Sequence, residues 1–241
     1  MKLHRWKTLA KRLFVRHPKR YPQATISEYR KKLQMTLAEW LIYHQNNIHL
    51  KKSHWMGTKA LKNPLDAWVY QEIIYEVQPD IIVEIGSYEG GSTMYLANLL
   101  DIIKKGQVIS IDIDRKNFHI NHPRILTVTG HSTSPTVLEK VKSIVENKKV
   151  LIIHDGDHHT QQVLEDLRAY APLVSEGSYF IVEDGVVDLF EIKEELANFN
   201  DGPLAAIEIF LQENKSFAVD KDKEKYIITY NPNGYLRKIK S

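Results

Sequence analysis

Cysteine is absent from the 241 residues, which excludes disulfides and thiolate metal sites. No apolar run reaches the roughly 18–20 residues that a membrane-spanning helix needs. The first residues also lack the compact apolar core of a secretory signal. We therefore expect a cytosolic protein. The length suits one large α/β domain with a substantial core and is short for two.

Acidic residues are missing from residues 1–20, which contain eight lysines and arginines, whereas the remainder holds 25 basic and 30 acidic residues. Apolar residues recur at helical spacing in this basic arm, a pattern typical of an amphipathic helix. Such a helix either docks on the body or on a second subunit, which we favour, or lies on an anionic membrane surface. We expect a homo-oligomer or a peripheral membrane contact through residues 1–20, and no nucleic acid partner.

Apolar strands and helices alternate along most of the chain. The pattern predicts helices over residues 26–47 and 65–77, and then five buried strands that end near residues 86, 114, 130, 155 and 184, with helices between them. Strands that are apolar throughout favour an α/β fold with a doubly wound, mostly parallel sheet covered on both faces. We expect an N-terminal helical extension over residues 1–50 and one domain over residues 51–241.

The C-terminal part of the chain has a different pattern. Residues 189–199 and 203–214 have the apolar spacing of helices. Residues 215–220 and 225–230 have the composition of strands and are separated by a short charged stretch, which predicts an antiparallel hairpin.

The first of the five strands runs into the glycine-rich loop VEIGSYEGGST, residues 83–93. The spacing G-x-G-x-x-G that seats a pyrophosphate is absent, and Glu84 and Glu89 would repel a diphosphate. A cationic sulfonium ligand with an ammonium group tolerates both acids, and the glycines allow the backbone to approach it closely. A turn that only packs helix against strand is the alternative.

Polar residues also end the next two strands, at the edge of the sheet where open α/β proteins bind ligands. Asp112 is placed to accept hydrogen bonds from both hydroxyls of a ribose, and the turn at His131 and Ser132 can meet an adenine edge. Three consecutive strand ends therefore indicate one adenosine-containing ligand. Its predicted contacts are Glu84, Gly86, Ser87, Tyr88, Gly90, Gly91, Ser92, Asp112, Ile113, His131, Ser132 and Asp155.

The last two strands end in ionisable residues, in LIIHDGDHHT (151–160) and SYFIVEDG (178–185). Neighbouring parallel strands would bring Asp155, Asp157, Glu183 and Asp184 together, and neither loop contains a lysine or arginine. Carboxylates this close repel one another unless a cation neutralises them. A hard divalent cation, Mg²⁺ before Mn²⁺ or Ca²⁺, is the simplest solution. Helix capping in the first loop and a solvated turn in the second are the alternatives.

Three histidines accompany these acids. His154 belongs to the strand, and we expect it to pack beside the helices. His158 and His159 lie in the loop, where adjacent side chains point in opposite directions, so one of them can act as a general base. We favour His158, with a structural role as the alternative.

Together these motifs resemble class I S-adenosylmethionine (SAM)-dependent methyltransferases, and more narrowly the cephalosporin hydroxylase-like family, which includes rhamnosyl O-methyltransferases. The similarity extends to WMGTKALKNPLDAWVYQEII and ITYNPNGYLRK and covers about residues 54–238. It implies a seven-stranded sheet with one antiparallel strand, SAM bound at residues 84–92, and a metal ion held by Glu183 and Asp184. As the third ligand we favour Asp157, with Asp155 as the alternate ligand or a contact of the methionine part.

The resemblance implies a Mg²⁺-dependent O-methyltransferase that acts on a hydroxyl of a sugar or another hydroxylated natural product. Its catalytic residues would be His158, which takes the proton, and Asp157, which holds the cation at the acceptor hydroxyl. An iron-dependent hydroxylase that uses His158 or His159 with carboxylates is the alternative, although no facial-triad spacing is recognisable. A non-enzymatic SAM-binding protein at a membrane is a third hypothesis.

Overall fold

Strands and helices alternate over most of the chain in the computed structural model, which describes residues 23–189 and 202–239. The chain divides between Tyr43 and His44 into two compact units, whereas the sequence predicts a division after residue 50. Residues 44–50 pack within the second unit, where the buried His44 forms a 2.7 Å hydrogen bond with the Tyr230 hydroxyl. Among the described residues, no helix is both long and apolar enough to cross a lipid bilayer.

The first unit contains the helix α1 (Gln23–Lys32) and most of the helix α2 (Leu37–His44). The predicted single helix over residues 26–47 is wrong, because the chain breaks between these two helices. Thr36 and Glu39 exchange side chain-to-backbone hydrogen bonds of 2.7 and 3.2 Å at the start of α2. This pattern is a capping box, a helix-start signal that is visible in the sequence. The basic arm of residues 1–20 lies outside the described residues.

The second unit alternates between helices and strands. Its helical segments are a π-helical turn (Gln45–His49), α3 (Leu50–Lys52), α4 (Pro64–Val77), α5 (Gly91–Ile102), α6 (Pro135–Val145), α7 (Thr160–Tyr170), α8 (Pro203–Glu213) and three short 3₁₀ helices (Ala171–Leu173, Gly185–Leu189 and Lys221–Glu224). Its strands are β1 (His54–Trp55), β2 (Thr58–Lys59), β3 (Ile81–Ile85), β4 (Gln107–Asp112), β5 (Ile125–Thr129), β6 (Val150–His154), β7 (Tyr179–Val182), β8 (Phe217–Val219) and β9 (Tyr235–Lys238).

Strands β3 to β9 form one sheet in the order β5-β4-β3-β6-β7-β9-β8. Neighbouring strands are parallel except at β9, which runs antiparallel to both β7 and β8. The predicted doubly wound, seven-stranded sheet with one antiparallel strand is therefore confirmed. The strand order reverses between β3 and β6, and such a switch point is where sheets of this kind bind ligands.

Helices bury the sheet on both faces, as the continuous apolar strands require. All five residues of β3 are buried. Val83 and Ile85 face a core that is formed with α6, α7 and α8, while Ile82 faces the core formed with α4 and α5. Because side chains alternate along a strand, Glu84 also lies on the α4–α5 side of the sheet.

The end of the chain differs from the prediction. The strand predicted over residues 215–220 contains β8, but its partner is β9 rather than residues 225–230. Residues 229 and 230 instead belong to a buried loop around Asp66, whose carboxylate accepts two hydrogen bonds from them, of 2.5 and 2.8 Å. The predicted helix over residues 203–214 is confirmed as α8. The helix predicted over residues 189–199 lies almost wholly outside the described residues.

Candidate active site

The loop after β3 lies at the switch point, beside the end of β6. Gly86 has a φ of +86°, and a Cβ atom there would lie 2.0 Å from the Asp155 carbonyl oxygen. A 2.7 Å hydrogen bond from the Asp155 N–H to the Ile85 carbonyl holds the two strand ends at this distance. Glycine is therefore required at position 86 on steric grounds.

Asp112, at the end of β4, organises this loop. Its carboxylate accepts hydrogen bonds from the backbone N–H groups of Ser87 and Tyr88, both 2.9 Å long, and from Ser87 Oγ at 3.1 Å. Burial raises the pKa of Asp112, but the backbone hydrogen bonds outweigh burial and hold the pKa below its ordinary value. Asp112 is therefore ionised at neutral pH and oriented by the loop.

Arg115 supports the same loop, and sequence reasoning missed it. Its guanidinium donates hydrogen bonds to Ser87 Oγ (2.8 Å), Ser110 Oγ (3.0 Å) and the Val128 carbonyl (2.9 Å). These contacts tie the loop to β4 and β5. The sequence shows only an arginine among charged loop residues, a setting in which the side chain is usually solvated.

A cavity of about 620 Å³ opens at the carboxyl ends of β3, β4, β5 and β6. We call it the donor cavity, after the methyl donor SAM that the motifs predict there. Gln162 and Asp166 of α7 also line it, and the sequence did not indicate either residue. Its size lies within the range of roughly 300–1,000 Å³ for small-molecule sites. The predicted cofactor contacts that line it are Gly86, Ser87, Tyr88, Asp112, Ile113, His131, Ser132 and Asp155.

A second cavity of about 250 Å³ adjoins the first. We call it the acceptor cavity, after the predicted methyl acceptor. Both cavities share residues from the loop after β3 and from the end of β6, so ligands bound in them would meet at the switch point. Gly91 and Ser92, which are predicted cofactor contacts, line the acceptor cavity together with His158 and Asp184. The shared residues are Gly86, Ser87, Tyr88 and Asp155.

Glu84 and Gly90 line neither cavity, in contrast to their predicted contact with the cofactor. Glu84 lies beneath α5, where its carboxylate accepts hydrogen bonds from Ser92 Oγ (2.6 Å) and Thr93 Oγ1. Burial raises the pKa of Glu84 to about 7 despite these hydrogen bonds. A Cβ atom on Gly90 would clash with the Phe118 ring, so this glycine faces protein.

The acidic residues after β6 and β7 lie close together, and a lysine neutralises two of them. Lys62, in the segment before α4, is buried, and its Nζ donates hydrogen bonds to Asp155 Oδ2 and, at 2.7 Å, to Glu183 Oε2. Burial lowers the pKa of Lys62, but the two carboxylates outweigh burial and raise the pKa above its ordinary value. The sequence did not predict this cation, because Lys62 lies 93 residues before Asp155 and belongs to neither acidic loop.

Within the described residues, Asp155, His158 and Asp184 form a group whose metal-binding atoms all lie within 4.8 Å of one another. His158 Nε2 and Asp184 Oδ2 are 2.8 Å apart. Burial lowers the pKa of His158, but Asp184 raises it to about 9. Burial raises the pKa of Asp184, but His158 lowers it to about 2. The two side chains are therefore an ion pair at neutral pH, and His158 can accept a proton only after losing the one that it carries.

Asp157 does not join this group, in contrast to the predicted ligand set of Asp157, Glu183 and Asp184. Its half-exposed carboxylate accepts a 2.8 Å hydrogen bond from the His159 N–H and lies 2.5 Å from the His159 ring. This local turn pairs the two side chains with each other, at 50% and 58% exposure, instead of with the cluster. Asp155 lies beside Asp184 instead, and His158 rather than His159 faces the carboxylates.

Two polar contacts support the acidic loops. His154 of β6 packs against α7, with its Nε2 3.1 Å from Asp166 Oδ2, which agrees with its expected structural role. The Asp184 N–H donates a 3.2 Å hydrogen bond to Asn231 Oδ1, and Asp184 has a left-handed φ of +58°. Such strain persists only where surrounding contacts hold it, and it is frequent at functional sites.

The hydroxylase alternative does not fit this geometry. An iron facial triad uses two histidines and one carboxylate. The group found within residues 23–189 and 202–239 has one imidazole and two carboxylates. Its oxygen-rich character is closer to that of a magnesium site.

Comparisons with known proteins agree with this picture. The family model described as rhamnosyl O-methyltransferase/CmcI matches residues 47–239. The rhamnosyl O-methyltransferase of Mycobacterium leprae (strain TN) is 32% identical over 206 residues, which cover 82% of this chain and 88% of that protein. The protein of the same name from Mycobacterium tuberculosis (strain ATCC 25618 / H37Rv) is also 32% identical, with 82% and 83% covered.

Solved structures share the fold. A CmcI structure with magnesium and SAM has a TM-score of 0.63 and 22% identity, covering 93% of this chain and 87% of that one. A CmcI apo structure has a TM-score of 0.63 and 21% identity, covering 94% and 91%. The fold class, the family and the methyltransferase class that the motifs predict are confirmed. This chain belongs to the rhamnosyl O-methyltransferase/CmcI family.

Proposed function

We propose that this protein is a SAM- and Mg²⁺-dependent O-methyltransferase that methylates a hydroxyl group of a sugar. The observation that carries the proposal is the meeting of the donor and acceptor cavities at residues 86–88 and Asp155, beside a cluster of buried carboxylates. Methyl transfer requires two reactants held in line, and adjoining cavities provide this arrangement. The names of the two mycobacterial relatives support a sugar acceptor.

The charges of the donor cavity suit SAM. Asp112 is ionised and lines this cavity, so its carboxylate can accept hydrogen bonds from the ribose hydroxyls. Asp155 also lines this cavity, but Lys62 neutralises its charge, so Asp112 is the carboxylate that favours the positively charged ligand. His131 and Ser132 line the same cavity from the end of β5, in the place that the sequence assigns to adenine.

The chemistry of the acidic cluster fits a divalent cation. Asp155 and Asp184 place two carboxylates beside the His158 imidazole in one partly buried space, and Mg²⁺ prefers oxygen ligands of this kind. We assign Asp155 and Asp184 as ligands, with Asp155 in the place of the predicted Asp157; the predicted ligand Glu183 lies outside this group and is paired with Lys62. When bound, the cation supplies Lewis acidity that lowers the pKa of the acceptor hydroxyl.

His158 is the residue that we assign to the acceptor proton. Its ion pair with Asp184 keeps it protonated, with a pKa of about 9. Additional positive charge beside Asp184 would weaken this pair and lower the pKa of the imidazole. The neutral ring could then take the proton, a contribution typically worth about 10²- to 10⁴-fold in rate.

Calorimetry and mass spectrometry test the proposed reaction. We expect the protein to bind SAM and to add one methyl group to methyl α-L-rhamnopyranoside in the presence of Mg²⁺, with turnover lost on adding EDTA. Asp112→Asn should weaken SAM binding by about 10-fold or more, because it removes a charged hydrogen-bond acceptor. A protein that binds no SAM would overturn the proposal.

The ligand assignment is tested with Asp155→Asn and Asp157→Asn. The two positions are matched controls for each other, since both side chains line the donor cavity and they are two residues apart. We expect Asp155→Asn to lose Mg²⁺-dependent turnover and Asp157→Asn to keep most of it. If Asp157→Asn instead lost this turnover and Asp155→Asn kept it, the ligand would be Asp157, as the sequence predicted.

Assembly and location stay predictions. Residues 1–20, which the sequence assigns to self-association or to an anionic membrane surface, lie outside the described part of the chain. Light scattering and sedimentation with anionic vesicles, compared between the full chain and a variant with neutral residues in this arm, test the two roles. We expect a homo-oligomer from the first measurement.

A further inference from the structure

The turn Gln45–His49 contributes to the acceptor cavity and has an unusual backbone. The Leu50 N–H bonds to the Gln45 carbonyl, five residues earlier, so the turn is π-helical. Isolated π turns within α-helices are rare and are found frequently at functional sites. Here the turn places Gln45 and His49 in the wall of the acceptor cavity, while Asn46 of the same turn is exposed.

Gln45 and His49 each have a buried polar atom that the protein does not satisfy. The two residues are only 9% and 3% exposed. Within the described residues, Gln45 Oε1 and His49 Nδ1 are buried and have no hydrogen-bond partner. Buried polar atoms are nearly always paired, so two unpaired atoms beside one cavity indicate that a ligand supplies the partners.

Aromatic neighbours position His49 without satisfying this nitrogen. The Tyr230 ring packs against it with ring centroids 5.0 Å apart, and the His44 ring lies at 6.3 Å. The Tyr230 hydroxyl forms its 2.7 Å hydrogen bond with His44 Nδ1. Packing and a hydrogen bond with the Lys62 backbone therefore hold the imidazole of His49 in the cavity wall.

We propose that Gln45 and His49 bind the acceptor through hydroxyl groups next to the one that is methylated, and so determine acceptor specificity. This inference rests on the proposed methyl transfer to a sugar. An amide and an imidazole can each donate and accept hydrogen bonds, and so can neighbouring sugar hydroxyls. His158 and Asp184 line the same cavity and serve the hydroxyl that reacts.

The size and the apolar residues of the acceptor cavity indicate a single sugar ring. Its volume of about 250 Å³ is below the range of roughly 300–1,000 Å³ that is usual for drug-sized ligands. Leu50, Leu61 and Val187 add apolar surface, which suits the C–H groups of a pyranose and the methyl group of a 6-deoxy sugar. The cavity therefore combines polar and apolar groups as a deoxy sugar does.

Binding of methyl α-L-rhamnopyranoside to the protein loaded with S-adenosylhomocysteine and Mg²⁺ tests this inference. We expect Gln45→Ala and His49→Ala each to weaken rhamnoside binding by about 3- to 10-fold, the usual effect of losing one neutral hydrogen bond. SAM affinity should stay unchanged, because neither residue lines the donor cavity. Asn46→Ala is the matched control from the same turn and should bind both ligands as the wild type does.

Deoxy analogues of the rhamnoside separate a direct contact from a general disturbance of the cavity. An analogue that lacks the hydroxyl contacted by His49 should bind wild type weakly, whereas His49→Ala should bind it as well as it binds the rhamnoside. If His49→Ala does not fold, His49→Leu retains most of the buried volume, removes both ring nitrogens and should show the same loss.

Two results would overturn the inference while leaving methyl transfer in place. One is wild-type rhamnoside affinity in Gln45→Ala and His49→Ala, and the other is a wild type that binds SAM but not the rhamnoside. A wild type that binds no SAM would overturn the proposed function, and this inference with it.

Discussion

Replacing Lys62 with methionine leaves the carboxylates of Asp155 and Glu183 buried without their ammonium partner. The Lys62 side chain is 8% exposed, and its Nζ lies 2.7 Å from Glu183 Oε2. At an effective dielectric constant of about 20, Coulomb's law gives roughly 6 kcal/mol of attraction for this pair. The desolvation cost of the lysine itself offsets part of it. Removing one partner of a buried pair typically costs about 3–5 kcal/mol, and we expect that loss of unfolding free energy at pH 8.

Urea denaturation in the presence of EDTA, at pH 8 and pH 5, measures this loss. The loss should be smaller at pH 5, because carboxyl groups without a cation are neutralised by protonation, which low pH favours. Lys223→Met is the control, since Lys223 Nζ also lies 2.7 Å from a carboxylate, that of Glu76, whose side chain is 42% exposed rather than buried. That variant should lose no more than about 1 kcal/mol. A loss below about 1 kcal/mol for Lys62→Met at pH 8, or an equal loss at both pH values, would refute the reasoning.

Three further variants test the supports of the site. Gly86→Ala should abolish SAM binding and lower the free energy of unfolding by about 2 kcal/mol or more, because its Cβ would overlap the Asp155 carbonyl. Gly57→Ala has open space around its Cβ and should lose only about 1–2 kcal/mol to backbone strain. Calorimetry and thermal denaturation distinguish the two variants. The free energy of unfolding of Glu84→Gln, relative to that of wild type, should rise by up to about 3 kcal/mol from pH 4.5 to pH 8. The folded-state pKa of about 7 lies above the ordinary value of 4.5, so the contribution of Glu84 to stability is full below pH 4.5 and is lost as pH rises through 7. An equal stability difference between the two proteins at pH 4.5 and at pH 8 would contradict this. Asp66→Ala should cost about 3 kcal/mol in urea denaturation, because three buried hydrogen bonds to its carboxylate are lost, and a loss below about 1 kcal/mol would show that the loop is held otherwise.

Most of the sheet could be predicted because its signals are local. An apolar run such as IIVEI predicts a buried strand, and a glycine-rich turn or an acid after it marks the ligand-binding edge. The hairpin at the end of the chain was predicted wrongly because strand partners depend on tertiary contacts. Residues 229 and 230 do not join the sheet. They donate hydrogen bonds to the carboxylate of Asp66, which lies more than 160 residues earlier.

The candidate site was predicted in part, for a related reason. The strand ends place Asp112, Asp155 and Asp184 at the same edge, and the order of the strands is sufficient to expect this. The direction of each side chain is not a property of the strand order. Asp157 forms a turn with His159 and does not join the group around Asp184, although Asp155 does. Glu84 lies beneath α5, although its neighbours Ile85 and Gly86 line the donor cavity.

The sequence by itself determined the succession of strands and helices, the glycine-rich loop and the acids at the strand ends, because periodicity and turn chemistry act over a few residues. Only the tertiary structure decided which charges and polar atoms meet. It brings Lys62 between two carboxylates, selects Asp155 over Asp157 beside Asp184, and places Gln45 and His49 in the acceptor cavity. The physical reason is that burial and pairing depend on contacts between segments far apart in the chain, which no local pattern specifies.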